Sequence, residues 1–337
     1  MTEQVTPGYE WFEVSPDSGE RVASVNLQDL YPCHRDQLQQ TWESKTTEVT
    51  DIPSGVRVIT TTFNEGAEGG SLLWLPGLNK SNLRGDGALV ATKLAVLNPD
   101  NVVLACEVEG VPLEQKREAA TGNWQSYAKN YMRALDKKDP TINTLSGHSL
   151  GGVMLTHLAA EMSYHTAPIK TISISDAPGA RGYLTASGFA FRIGILDNRV
   201  QRRYGQLSSE YEEGTLADIG IYEMGNMRMK AEELCNASKQ WRIIQAMSKA
   251  GLRESVDVML QKQPDAEVFW WQCTGSAGVQ ERPVRGLVNA VCSGLPLEQQ
   301  GKIRYLVGDT GHFLEGHTAR PGRQTAYAIE NTLSKRL

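Results

Sequence analysis

Residues 143–153 read NTLSGHSLGGV, with Ser149 two residues after Gly147 and two before Gly151. A serine hydroxyl is a poor nucleophile at neutral pH. Given a base to take its proton, it can attack an acyl carbon. Acyl transfer of this kind needs four parts: the hydroxyl, an imidazole, a carboxylate to hold the imidazole, and N–H donors for the oxyanion. The G-x-S-x-G pattern alone is weak, since about one chain of this size in ten would carry it by chance at average residue frequencies. Its surroundings strengthen it. INTLS ahead reads as a short strand and LGGVMLTHLAAEM behind reads as a helix, so Ser149 falls on a strand-to-helix turn. Gly147 and Gly151 allow close approach of the two elements, and Gly152 adds room. The helix N-terminus would then aim free N–H groups and its positive dipole end at the hydroxyl.

The chain has six histidines. His148 adjoins Ser149 at a position whose side chain points elsewhere in such a turn. His157 and His165 lie along the following helix, away from its tip, and His34 is in the N-terminal region. His312, in GDTGHF after the last expected strand, is therefore the candidate base, with His317 in reserve. Leu150 supplies one oxyanion N–H. The second is expected from Leu78 in WLPGLNKS, where Gly77 makes the turn.

These groups must be held by a framework. Strands are expected over 56–63, from 69 to the Pro76-Gly77 turn, and over 101–109, 142–147, 169–175, 267–273 and 302–313. Helices are expected over 86–98, 124–138, 150–165 and 323–337, and 286–295 could be another. Strands and helices alternate from about residue 70 to 176, and the strands are nearly continuous in apolar character. That pattern fits a mostly parallel sheet covered on both faces. Residues 1–50 read as irregular structure or edge strands. From 181 to 265 the rhythm gives way to helical, charged sequence, read as an insertion between two core strands.

Composition bounds the rest. The chain has 337 residues, 40% hydrophobic and 22% charged, with a net charge of −5, which suits a globular protein with a large core. A mildly acidic chain without a basic run has no electrostatic footprint for nucleic acid. No stretch reaches the roughly 18 apolar residues of a membrane span. The first residues lack the cationic start and apolar stretch of a signal peptide, so a cytoplasmic location is expected. Five cysteines, widely spaced and without CxxC, argue against zinc sites and disulfide frameworks and for free thiols.

Ser149 in G-H-S-L-G, the P-G-L loop and the late G-H-F together resemble the α/β-hydrolase superfamily, over roughly residues 56–337 with 1–55 as an N-terminal extension. The resemblance implies an α/β-hydrolase core over 56–180 and 266–337. It also implies a helical cap over 181–265, a Ser-His-acid triad and no cofactor. The acid is expected after the 267–273 strand, but Gly278 stands in its place. Two candidates remain: Asp176, ending the preceding strand in ISISDAPG, and Glu281, in the loop after the 267–273 strand. The expected activity is cleavage of an ester-type bond in an uncharged, partly apolar small molecule. Tyr183, Phe189, Phe191, Met224, Met227, Met229 and Trp241 are available to line the pocket, though most such residues simply pack a cap on its sheet. Thioester, lactone or amide cleavage would use the same triad, and a non-catalytic hydrolase-fold binding protein is the rival from another class. No G-x-G-x-x-G or G-x-x-x-x-G-K-[ST] is present, and His312 and His317 are off H-E-x-x-H spacing.

Overall fold

The computed structural model describes residues 10–27, 35–77, 85–121, 123–135, 141–162, 168–180, 182, 185–192, 241, 243–249, 251–276, 278–308 and 320–335. Ten strands form one sheet: β1 Glu10–Val14, β2 Arg21–Asn26, β3 Thr46–Asp51, β4 Arg57–Phe63, β5 Ser71–Leu75, β6 Val102–Glu109, β7 Ile142–His148, β8 Thr171–Ser175, β9 Glu267–Cys273 and β10 Ile303–Gly308. Their order is β2-β1-β10-β9-β8-β7-β5-β6-β4-β3. The run from β6 through β5, β7, β8 and β9 to β10 is parallel, and antiparallel pairs close both ends.

The chain leaves β5, builds β6 on one side, then returns to place β7 on the other. Neighbouring crossovers therefore diverge between the C-terminal ends of β5 and β7. In open α/β sheets such a divergence opens a crevice, and ligands bind there. Ser149 follows β7 and Gly77 follows β5, so the topology brings the two predicted halves of the site to one crevice.

The helices are α1 Arg35–Glu43, α2 Gly85–Leu97, α3 Leu113–Ala120, α4 Gln125–Leu135, α5 Leu150–Glu161, α6 Ala186–Phe191, α7 Leu252–Lys262, α8 Glu281–Gly294, α9 Leu297–Gln300 and α10 Arg320–Ser334. α4, α5, α7 and α8 cover one face, while α1, α2 and α10 cover the other. Strand β9 shows why two layers are needed. Val268 and Trp270 enter the core under α5, and Phe269, Trp271 and Cys273 enter the core with α10, as period-two alternation requires.

Residues 1–50, read as irregular structure or edge strands, supply β1, β2 and most of β3, and β2 and β3 are the two edges of the common sheet. β1 is fixed to β10 by Arg304, whose Nε donates to Glu13 at 3.1 Å and whose Nη1 donates to Asn331 at 2.7 Å. Helix α7 lies within the span read as cap, but it packs on α5 in the core layer. The faces of β7 and β8 toward α10 are also not apolar. Ser146 shares a hydrogen bond with Thr325 at 2.9 Å, and Thr171 donates to Thr332 at 3.0 Å. Hydroxyls paired in this way can be buried without large desolvation cost. No described helix is long and apolar enough to cross a membrane.

Candidate active site

Ser149 stands between β7 and α5 with φ 54° and ψ −121°. Among the described residues only Asn64, Ser149 and Asp176 combine a side chain with positive φ. A non-glycine residue held there costs about 1–3 kcal/mol and needs surroundings that over-determine it. Ser149 has them. Its N–H donates to the Ser175 carbonyl at 2.9 Å, and its own carbonyl accepts from Val153 N–H at 3.2 Å.

The glycines are required by close approach. A Cβ at Gly147 would stand 2.6 Å from the Gly151 carbonyl oxygen, and one at Gly151 would stand 2.0 Å from the Leu75 carbonyl oxygen. Gly152 is crowded less, with Ala177 Cβ at 3.0 Å. Strand, helix and the end of β5 therefore close on one another with only backbone between them. Leu150 opens α5, where backbone N–H groups have no partner inside the helix.

Asp176 stands one residue past β8, on the strand beside that of Ser149, with φ 52°. It is completely buried. Its N–H donates to the Trp271 carbonyl, and its Oδ1 accepts from the Cys273 N–H, both at 2.9 Å. The other acid candidate, Glu281, opens helix α8 rather than lying in a loop. Its carboxylate accepts from the Tyr305 hydroxyl at 3.3 Å and pairs with Arg285 at 3.5 Å. Burial first, then Glu281, raises the Tyr305 hydroxyl far above its ordinary range, so the phenol stays protonated and remains a donor.

His312, His317, Leu78, Tyr183, Met224, Met227 and Met229 lie outside the described residues. Phe189 is buried in the main core, whereas Trp241 and Phe191 are exposed. A small cavity beside the first turns of α5 is lined by Trp124, Val153, His157, Gly179, Met247 and Leu252. Burial lowers His157 from its ordinary 6.5 to about 4, against a weaker opposing pull from Glu161. His157 is therefore neutral at pH 7.

Three residues that the motif search did not select pack beneath the rim: His148, Cys273 and Arg320, all buried. His148 meets Arg320 there. The only signal in the sequence is its place in the motif. Nothing local marks Arg320 or Cys273, because both arrive from distant elements.

No protein-family model matches the sequence, and no curated protein matches it. Solved structures do resemble it. An esterase from Pyrococcus furiosus aligns with a TM-score of 0.50 at 11% identity, covering 96% of this chain and 98% of its own. A bromoperoxidase from Bacillus anthracis aligns with a TM-score of 0.51 at 12% identity, covering 86% and 100%. A haloalkane dehalogenase loop variant from Bradyrhizobium elkanii aligns with a TM-score of 0.50 at 12% identity, covering 87% and 99%. The chain has the α/β-hydrolase fold. The three names describe three reactions on one architecture, so the reaction has to be argued from the site itself.

Proposed function

We propose that the protein is a serine hydrolase that cleaves an ester-type bond through an acyl-enzyme. The observation that carries this reading is the conformation of Ser149: a strained hydroxyl residue at the switch-point crevice, with a helix N-terminus behind it. Ser149 attacks the acyl carbon while His312, carried over from the sequence, accepts its proton. The Leu150 N–H and the Leu78 N–H receive the oxyanion. His312 then protonates the leaving alcohol and activates the water that releases the acid.

Asp176 is the proposed partner of His312. It is buried on the strand next to Ser149, and its positive φ places it with Ser149 among the strained side-chain-bearing residues. Glu281 is already engaged by Tyr305 and Arg285. The substrate, an uncharged and partly apolar small molecule, is carried over from the sequence expectation.

A fluorophosphonate probe and p-nitrophenyl acetate test the assignment together. Covalent labelling at Ser149, and loss of turnover in Ser149→Ala, are expected. Unchanged turnover in that variant removes Ser149 from the mechanism. A Ser149 inert to the probe, in a protein that still binds small molecules, favours the binding-protein reading.

A further inference from the structure

Arg320 opens α10 with its side chain 3% exposed. A guanidinium stays charged and offers only donors, so its burial calls for acceptors around it. Two of its contacts reach the rim. Nη1 donates to the Cys273 sulfur at 2.8 Å, and Nη2 lies 3.5 Å from His148 Nε2. Cys273 ends β9, and its N–H holds Asp176 Oδ1 at 2.9 Å. Burial pushes the Cys273 thiol well up, against the pull of Arg320 and with the Asp176 carboxylate adding to the rise. The sulfur therefore keeps its proton and stands between guanidinium and carboxylate, in hydrogen-bonding contact with each.

His148 forms the second branch. It directly precedes Ser149, and its Nδ1 faces the turn after β5. A Cβ built on Gly77 would lie 3.3 Å from that nitrogen and 3.4 Å from Ser149 Cβ. The imidazole is thus a shelf, with the guanidinium on one edge and the Gly77 turn on the other.

We propose that Arg320 is a positioning residue for this site: it fixes the His148 ring under the Gly77 turn and, through Cys273, fixes the Asp176 carboxylate at the end of β9. This inference rests on Ser149 being the nucleophile. A guanidinium has no lone pair, so the His148 nitrogen facing it acts as acceptor, and His148 is neutral with its proton on Nδ1. One buried cation then sets the seat of the oxyanion turn and the partner of the base together.

The test uses the full chain and the variants Arg320→Lys, Arg320→Met and Cys273→Ala. Four quantities are read: kcat and KM for p-nitrophenyl acetate, the rate of fluorophosphonate labelling, and the ¹⁵N shifts of His148. Small misplacement of reacting groups costs up to about 100-fold. Arg320→Met should lower kcat and labelling by about 10- to 100-fold, with KM changed less than about threefold, the pattern of lost transition-state positioning. Arg320→Lys should recover part of the loss, and Cys273→Ala should fall between the two.

The wild-type His148 should show a neutral ring protonated at Nδ1. Wild-type kcat in a folded Arg320→Met overturns the proposal, and so does an imidazolium or an Nε2-protonated ring in the wild type. If Arg320→Met does not fold, wild-type kcat in both other variants overturns it. Turnover that survives Ser149→Ala would reject the nucleophile instead, and the His148 nitrogen shifts would still decide whether Arg320 holds the ring.

Discussion

Gly151→Ala tests the elbow without touching any reacting group. The added Cβ would lie 2.0 Å from the Leu75 carbonyl oxygen and 2.6 Å from that of Pro76. Close C···O contacts begin at about 3.3 Å, so the gap must open by about 1.3 Å. Both obstacles are backbone, and no rotamer change relieves them. Overpacking costs about 1–3 kcal/mol, while alanine in a helix returns about 1 kcal/mol relative to glycine. With a backbone clash at the upper end of that range, a net loss of about 2 kcal/mol is expected, or a fall in Tm of about 3 °C. Activity should suffer more. The shift separates the end of β5 from Ser149, and a misplacement of about 1 Å costs about 100-fold in rate. Gly286→Ala is the control: it lies inside α8 with nothing within 4 Å of the new Cβ. It should gain about 0.5–1 kcal/mol and keep its turnover. Thermal melts and kcat/KM with p-nitrophenyl acetate read both variants. Wild-type Tm and turnover in Gly151→Ala would refute the close-packed elbow.

Asp176→Asn should lower kcat by about 10³- to 10⁴-fold, as loss of a triad carboxylate does, whereas Glu281→Gln should stay within a few-fold; the reverse order would make Glu281 the acid. Asn64 holds φ 55° and donates to the carbonyls of Ala95, Asn98 and Asn101 at 2.9, 3.2 and 3.2 Å. Asn64→Ala should cost about 2–4 kcal/mol in a urea melt, and Asn64→Gly less, because glycine removes the backbone strain. His157 titrates near 4 when folded and at its ordinary 6.5 when unfolded, so between those values the unfolded chain binds the extra proton. Stability should therefore rise with pH across that window, by at most about 3 kcal/mol, be complete above 6.5 and be lost toward 4. His157→Leu should flatten that part of the stability-versus-pH curve, and an unchanged slope would place the titration elsewhere.

How far the sequence could be read depended on whether a signal was local. INTLSGHSLGG carries its strand, turn and helix within a few residues, and β7 and α5 meet at Ser149 as that pattern requires. EVFWWQC is a strand over the full expected stretch, 267–273. The helix at 281–294 extends before its expected start at 286, because Arg282-Pro283 sits in a first turn, where proline is tolerated. That extension moves Glu281 from a loop into α8. The N-terminal strands carry a weaker signal. β2 is exposed at nearly every position and β3 likewise, so neither has an apolar rhythm. β2 joins the sheet through β1, which pairs with β10 almost 300 residues away in the chain, as the Glu13–Arg304 bond shows, whereas β3 pairs with the adjacent β4.

The arrangement under the rim has a physical cause that links those distant pieces. A fully buried Asp176 carboxylate cannot remain charged without donors and compensating charge. The Cys273 N–H is one such donor. Among the described helices, α10 begins with Arg320, whose guanidinium touches both Cys273 at the end of β9 and His148 at the end of β7. The polar positions of β7 and β8 that face the same helix are satisfied separately: Ser146 pairs with Thr325 and Thr171 with Thr332, so these strand faces are buried with their hydroxyls bonded. The glycines of the motif thus admit the elbow, while the guanidinium that α10 brings beneath it meets both the residue before Ser149 and the residue that holds Asp176.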